Sequence, residues 1–421
     1  MDLRLDARLV NHRKVLMVAF HFPPQRGSSG IQRTLKFAHY LPSLGWQPLV
    51  LSARPRAYLD AGGAPYDGPA EVTRAFALDS ARHLALRGRY LQLLALPDRW
   101  VSWCLGAIPA GLKIVRRARP SVLWSTYPIA SAHLIGLALH RLTGLPWIAD
   151  LRDPMIDDAY PTDPLMRKAV AWVERQTVRH ATRIVCTTPG AVRSYRLRYP
   201  ELPPERFRLI ENGYDEEEFT HAVAQARPAD APFTLLHSGI VYPSERDPRP
   251  LFAALGQLKR AGKLNAAGFR LVLRASVHED LLRRLAAEHG IGDLVEIAPA
   301  LPYRAALAEM LGADGLLLLQ AANCNDQVPA KLYEYLRASR PVLALTDPAG
   351  DTAALMQAAA IDTVAPLDDA GAIAAALIRF LGLAHDGRAP VAAPAFVRAQ
   401  AREARTAQLA ALLDEVARTA A

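Results

Sequence analysis

The chain has 421 residues, 50 Lys and Arg against 41 Asp and Glu, a formal charge of +9 and 51% hydrophobic residues. That length suits about two domains, each with its own core, and the apolar content and mixed charge exclude intrinsic disorder. Three widely spaced cysteines, Cys104, Cys186 and Cys324, exclude a disulfide scaffold and suit a reducing compartment.

The charge is unevenly placed. Residues 1–210 hold 30 basic and 15 acidic side chains, a net +15, and residues 211–421 hold the other 20 and 26, a net −6. Such asymmetry predicts two domains that meet different partners.

In chain order, the start MDLRLDARLVNHRKVLMVAFHFPP does not read as a signal peptide. Its apolar run, 15–20, is short, acidic residues precede it and Pro23-Pro24 end it. Strands are predicted at 15–19, 48–51, 122–126, 147–150 and 184–187, with RLIE, 208–211, as a further one. After a break they resume at 234–237, 270–274, 315–319 and 341–345. Short β-branched or aliphatic runs separated by helix-length segments read as βαβ units and parallel sheets. Residues 120–140 lack Asp, Glu, Lys and Arg, enough to span a bilayer by that count. Pro120, Pro128, His133 and His140 interrupt them, so strand–turn–helix is expected, with no spanning helix and a cytoplasmic protein. Thr187-Thr188-Pro189 marks a helix start, and Pro329 marks another before AKLYEYL. The expected division is a first domain at 1–210, a linker at 211–232 around the turn-forming Asn212-Gly213, and a second domain at 233–394. A closing helix, 395–421, is expected to pack back on the junction.

Ligands of open α/β sheets bind beyond the carboxyl ends of the strands. After the first strand comes HFPPQRGSSGIQR, where Gly27 and Gly30 permit close backbone approach and Ser28 and Ser29 can cap the next helix. Its N–H groups favour an anion, although the same glycines also read as a plain flexible loop. Neither GxGxxG nor GKS/GKT occurs. In DQVPAKLYEYL, after GLLLLQ, Lys331 and Glu334 share one helix face. There the lysine suits a diphosphate and the glutamate a ribose, or the two form a surface ion pair. In LLHSGIVYPSERDPRPL, Ser238-Gly239 permits a tight turn and Arg246 and Arg249 are candidate phosphate ligands, while His237 reads as a satisfied core histidine. In WIADLRDP, Asp150, Arg152 and Asp153 offer either a contact to a sugar hydroxyl or a salt bridge that shapes the loop. No metal site is expected, because His133 and His140 lack an acidic or Cys partner and Asp157-Asp158 is not a DxD pair. GxSxG and a Cys–His pair are absent.

Residues 81–120 hold eight basic residues and one acid, Asp98, amid Leu84, Tyr90, Leu91, Leu94, Trp100, Trp103 and Leu105. This pattern suits an anionic bilayer surface, or an ordinary helix with a solvated basic face. No nucleic-acid recognition motif accompanies the basic charge.

The series HFPPQRGSSGIQR, PWIADLRDP, IENGYDEEEF, LLHSG and PAKLYEYLRASRPVLAL, running from Lys14 to the final helix, resembles a bacterial glycosyltransferase of family 4. The resemblance implies the GT-B fold, two Rossmann-like α/β parallel-sheet domains facing across a cleft. It implies a nucleotide-diphosphate sugar on the second domain, a glycan or lipid-linked acceptor on the first, retaining transfer, and no metal or other cofactor. On the bilayer reading of residues 81–120, the acceptor is a lipid-linked glycan, the expected setting is cell-surface polysaccharide or lipopolysaccharide assembly, and the position is peripheral on the inner face of an anionic membrane. A sugar-nucleotide epimerase or a non-catalytic binding protein of the same architecture is the alternative. By position, Glu334 is similar to the second acid of the family's E-x7-E motif and Asp326 to the first, with Asp where Glu is usual. Arg246 matches the family's phosphate arginine, whereas Leu251 stands where its lysine is usual, leaving Arg249 or Lys331 to replace it. Gly27, Gly30 and Gly239 resemble the loops beside the donor diphosphate. Arg152-Asp153 stands where many relatives carry His-Asp, with Asp153 the candidate for orienting the acceptor.

Overall fold

The structure is a computed structural model that describes residues 13–26, 30–157, 160–224, 228 and 230–419. The chain divides into two units, one running through Glu211 and resuming at Arg402, the other Asn212–Ala401.

The first unit is built on β1 (Arg13–Val18), α1 (Gly30–Tyr40), β2 (Trp46–Ala53), β3 (Glu71–Ala75), α2 (Ser80–His83), α3 (Trp103–Ala118) and β4 (Val122–Thr126). It continues with α4 (Ala130–Thr143), β5 (Trp147–Arg152), α5 (Pro164–His180), β6 (Arg183–Cys186), α6 (Pro189–Arg198) and β7 (Phe207–Leu209). The strands form one sheet in the order β3-β2-β1-β4-β5-β6-β7, every pair parallel. Around β1 the run VLMVAF explains why. Leu16, Val18 and Phe20 face one apolar cluster while Val15, Met17 and Ala19 face another, so both faces are covered. Helices α3, α4 and α5 cover the first face with Trp103, Ile114, Ile135 and Val173. The segment 120–140 is strand, turn and helix, as its prolines predict. No helix among the described residues is long and apolar enough to cross a membrane.

The second unit contains α7 (Glu216–Thr220), β8 (Phe233–Ser238), α8 (Arg249–Arg260), β9 (Phe269–Arg274), α9 (Glu279–Glu288), β10 (Val295–Ala298) and α10 (Tyr303–Gly312). After these come β11 (Gly315–Leu319), α11 (Ala330–Ala338), β12 (Val342–Leu345), α12 (Asp351–Ala358), β13 (Val364–Ala365), α13 (Ala370–His385) and α14 (Pro394–Ala399). Its parallel sheet has the order β10-β9-β8-β11-β12-β13. Leu317 and Leu319 face one core and Leu316 and Leu318 the other, the same two-sided burial. The fold is therefore the expected pair of parallel α/β sheets. Strands β3, β10 and β13 were not predicted. They are short or at a sheet edge, with burial too partial to leave a continuous apolar run.

Two segments differ in detail from the expected division. Residues 211–232 carry α7, and Tyr214 and Phe219 are buried in the second unit's core, with Tyr214 bridging Ala401. The last helix, α15 (Arg402–Thr419), belongs to the first unit. Leu409, Leu412, Leu413 and Val416 close the sheet face that α1 leaves open. Asp414 accepts from Trp46 Nε1 at 2.8 Å, and Glu415 pairs with Arg183 and Arg208 at 2.7 Å each. Truncating the fully buried Leu413 to Ala should destabilise the first unit by about 2–5 kcal/mol, read as a lowered midpoint in urea unfolding.

Candidate functional site

At the carboxyl end of the first sheet, β5 breaks register between Asp150 and Arg152, and Arg152 takes φ 60°. A non-glycine residue there is strained and needs surrounding contacts to hold it. Those contacts form a buried network. Arg33, one turn into α1, donates to Asp150 Oδ1 through Nη2 at 2.8 Å and to Oδ2 through Nε at 3.1 Å. The same guanidinium donates to the carbonyls of Ile210 and Glu211 at 2.8 and 2.9 Å. Thr126 Oγ1 donates to Asp150 at 2.7 Å, and Arg152 Nη2 donates to the Gly30 carbonyl at 2.8 Å. Burial pushes the Asp150 carboxyl up, but Arg33 and then Arg152 outweigh it and hold it below its ordinary 3.8. Burial lowers Arg152 to about 10 against the pull of Asp150, and it stays charged at neutral pH.

Arg152 therefore serves the salt-bridge reading of WIADLRDP, since its guanidinium fixes the first residue of α1. Asp153 is different: it follows on the same turn and is exposed. Gly30 is buried at the start of α1, while Gly27, Ser28 and Ser29 lie outside the described residues. His21, just after β1, is lowered to about 4 by burial and by Arg152, so it is neutral at physiological pH.

In the second unit, three sequence-distant groups meet at the carboxyl ends of β8 and β11. Lys331, in the first turn of α11, reaches back to the loop after β8, where its Nζ lies 3.4 Å from His237 Nε2. Gly239 has φ 121°, and a Cβ there would stand 2.7 Å from the lysine Nζ. Glycine is thus required twice, for the backbone angle and for the space the ammonium occupies. His237 is buried and bonds the Leu317 carbonyl through Nδ1 at 2.9 Å, which leaves Nε2 as the acceptor facing Lys331. Burial, then Lys331, hold this histidine well below its usual range, so it is neutral. Burial and the neighbouring charge of Arg246 lower Lys331 to about 7, against the opposing pull of Glu334.

Arg246 donates to the Ile240 carbonyl at 2.6 Å and lies over the Tyr242 ring at 5.3 Å. Arg249 heads α8 on the surface with its guanidinium on Asp247 at 3.0 Å, and it is not among the groups that act on Lys331. Glu334, one turn beyond Lys331, accepts from Tyr303 Oη at 2.7 Å. Asp326 is half-buried in the loop between β11 and α11. Gln320 frames that loop, donating to the Cys324 and Gln327 carbonyls at 3.0 and 2.9 Å. Among the described residues no three His, Cys, Asp or Glu side chains are grouped as metal ligands.

Four positioning residues escape sequence reasoning: Arg33, Gln320, Tyr303 and, in its contact with Lys331, His237. Arg33 lies inside the motif GSSGIQR, yet nothing local pairs an arginine with an acid 117 positions away. Replacing Asp150 with Asn leaves two buried arginines short of their counter-charge and should cost about 3–5 kcal/mol of stability. Because the folded carboxyl is depressed, its contribution is complete above the ordinary value of 3.8 and is lost as pH falls below it. Acid-unfolding curves of the Asn variant should lack that part of the slope.

Residues 29–213 match the glycosyl transferase 4-like domain family. No curated protein matches the sequence significantly. Among solved structures, the chain is similar to sucrose-phosphate synthase from Thermosynechococcus elongatus, at 16% identity and a TM-score of 0.68, covering 96% of this chain and 98% of that one. It is similar to HepE of Anabaena, solved with UDP and glucose, at 15% identity and a TM-score of 0.64, covering 96% and 100%. A putative UDP-N-acetylglucosamine 2-epimerase from Listeria monocytogenes shares the fold at 12% identity and a TM-score of 0.56, covering 95% of each chain. Residues 29–213 thus carry a glycosyl transferase 4-like domain, and the two parallel sheets of this order share the GT-B fold of these structures.

Proposed function

We propose that the protein transfers a sugar, with retention, from a nucleotide-diphosphate sugar held by the second unit to a lipid-linked glycan held by the first, in cell-surface polysaccharide or lipopolysaccharide assembly. The observation that carries the donor half is the meeting of Lys331 Nζ with Gly239 and His237, beside Arg246 and the first turn of α11. Departure of the sugar leaves negative charge on the diphosphate. Arg246, Lys331 and the free N–H groups of α11 are the groups that stabilise it, so this reading needs no metal. Lys331 takes the place that Leu251 vacates: the lysine arrives from α11 rather than α8. Glu334 binds the ribose and Asp326 the sugar.

Among the described residues no side chain is placed as a nucleophile, and the reading adopted is attack on the same face that the diphosphate leaves, with a phosphate oxygen taking the acceptor's proton. Asp153 orients the acceptor hydroxyl, and holding both reactants in place supplies most of the rate. The UDP and glucose in the HepE structure favour a uridine donor. The epimerase-like neighbour keeps a second reading open to test, since an epimerase converts its nucleotide sugar with no acceptor present.

Calorimetric titration with UDP tests the donor site. Lys331→Met and Arg246→Ala should each weaken binding by about 1.5–3 kcal/mol, the worth of a hydrogen bond to a charged group. Undiminished affinity in both variants would remove the site. Since Lys331 titrates at about 7 in the free protein, binding above that pH requires proton uptake. UDP affinity should then fall by up to about tenfold per pH unit in the native protein and stay flat in Lys331→Met.

A further inference from the structure

The loop between β3 and α3 carries an apolar surface that nothing in the first unit covers. Leu86, Leu91 and Leu93 are 80%, 71% and 73% exposed, and Tyr90 stands beside them. Trp100 and Trp103, expected at this surface, are not part of it: Trp103 is fully buried and Trp100 donates to the Ala57 carbonyl at 3.1 Å. The loop is held in place. Arg99 clamps Asp79 with bonds of 2.9 and 2.7 Å, and Leu86 and Arg89 exchange backbone bonds of 2.8 and 3.1 Å.

A second segment joins this surface. Gln92 Nε2 donates to Asp163 Oδ1 at 2.9 Å, and Asp163 caps α5 by accepting from Met166 N at 2.7 Å. Leu91 and Leu93, which flank Gln92, are thereby brought to the first turn of α5. From there an exposed stripe of Leu165, Lys168 and Trp172 runs along that helix at helical spacing. The charge is of one sign on the loop: between Asp79 and Asp98 there is no acidic residue, while Arg82, Arg87 and Arg89 are exposed. Both segments leave the carboxyl edge of the first sheet, after β3 and after β5, the edge that also carries Asp153.

Exposed leucines rarely cluster on a soluble protein without a partner. Leucines interleaved with arginines, with a tyrosine and a tryptophan at the margin, match the boundary layer of a bilayer, where apolar tips enter the acyl region and cations meet lipid phosphates. We propose that the loop 84–94 and the exposed face of α5 together form a docking surface for an anionic lipid bilayer. The purpose of such docking rests on the lipid-linked acceptor of the proposed function: it sets the carboxyl edge of the first sheet at the level of the headgroups.

Co-sedimentation of the full chain with phosphatidylcholine vesicles, with and without about one third phosphatidylglycerol, tests this. The native protein should bind the anionic vesicles at least about tenfold more strongly, and Arg87→Gln/Arg89→Gln should lose most of that preference. Leu91→Ser/Leu93→Ser should lower binding to anionic vesicles by about tenfold or more. Both variants should retain native UDP affinity, which separates lost docking from lost folding. Equal binding to both vesicle types, no binding to either, or variants that bind as the native chain does would overturn the proposal. So would a native dimer that Leu91→Ser/Leu93→Ser converts to monomer, because the occupant would then be a second copy. Failure of the native protein to bind UDP would count against the donor reading and leave this one standing.

Discussion

The buried pairing of Arg33 with Asp150 is the constraint on which the first unit's functional edge depends. An arginine and an aspartate removed from water are costly, and they are tolerated because they pair through two nitrogens and bond further groups around them. Asp150 takes Arg33, Thr126 and the nearby Arg152, while Arg33 spends its other donors on the carbonyls of Ile210 and Glu211. Four segments therefore share one electrostatic knot: α1, β4, β5 and the point where the chain leaves the unit. Arg405 of α15 adds a fifth by holding the Glu211 carboxylate at 2.6 Å. The strained Arg152 is a product of this knot, since its guanidinium can reach the Gly30 carbonyl from the bulged end of β5.

The second unit solves a related problem with less charge. A lysine in the first turn of a helix is poorly placed for the helix dipole, because like partial charges meet there. Turning its side chain back into the loop after β8 gives the ammonium a histidine acceptor and the space left by a glycine, but it also places it near Arg246. Two cations held close in a half-buried setting are mutually unfavourable until an anion arrives. Burial first, and then this neighbouring charge, lower Lys331 to about 7, and such an arrangement suits an anionic ligand. Gln320 fixes the loop in which Asp326 sits, and the Tyr303 hydroxyl fixes Glu334.

Both candidate sites thus lie at the carboxyl ends of the strands of their sheets, the general consequence of parallel βαβ winding. In the first unit the same edge bears the basic, leucine-rich loop. This relation gives the charge asymmetry a structural meaning: part of the excess of +15 in residues 1–210 is used internally by Arg33, Arg152, Arg183 and Arg208.

Much of this was legible from one dimension. Two-sided burial writes continuous apolar runs, so the strands at 15–19, 122–126 and 315–319 were readable, and with them the two parallel sheets and the loops that bear the chemistry. The motifs around Gly239, Lys331 and Glu334 stood out because each follows a strong strand, Gly239 on the loop after β8 and Lys331 and Glu334 on α11 after β11. What the sequence could not determine depends on long-range partners. Arg33 and Asp150 pair across 117 positions, and α15 completes the core of a unit that the chain left nearly two hundred residues earlier. Burial decided the rest. Local pattern made Trp103 a surface residue and passed over Trp172, and only packing shows which indole meets the core and which meets solvent. Hydrophobic periodicity records that a face is covered; which segment covers it is settled by three-dimensional complementarity alone.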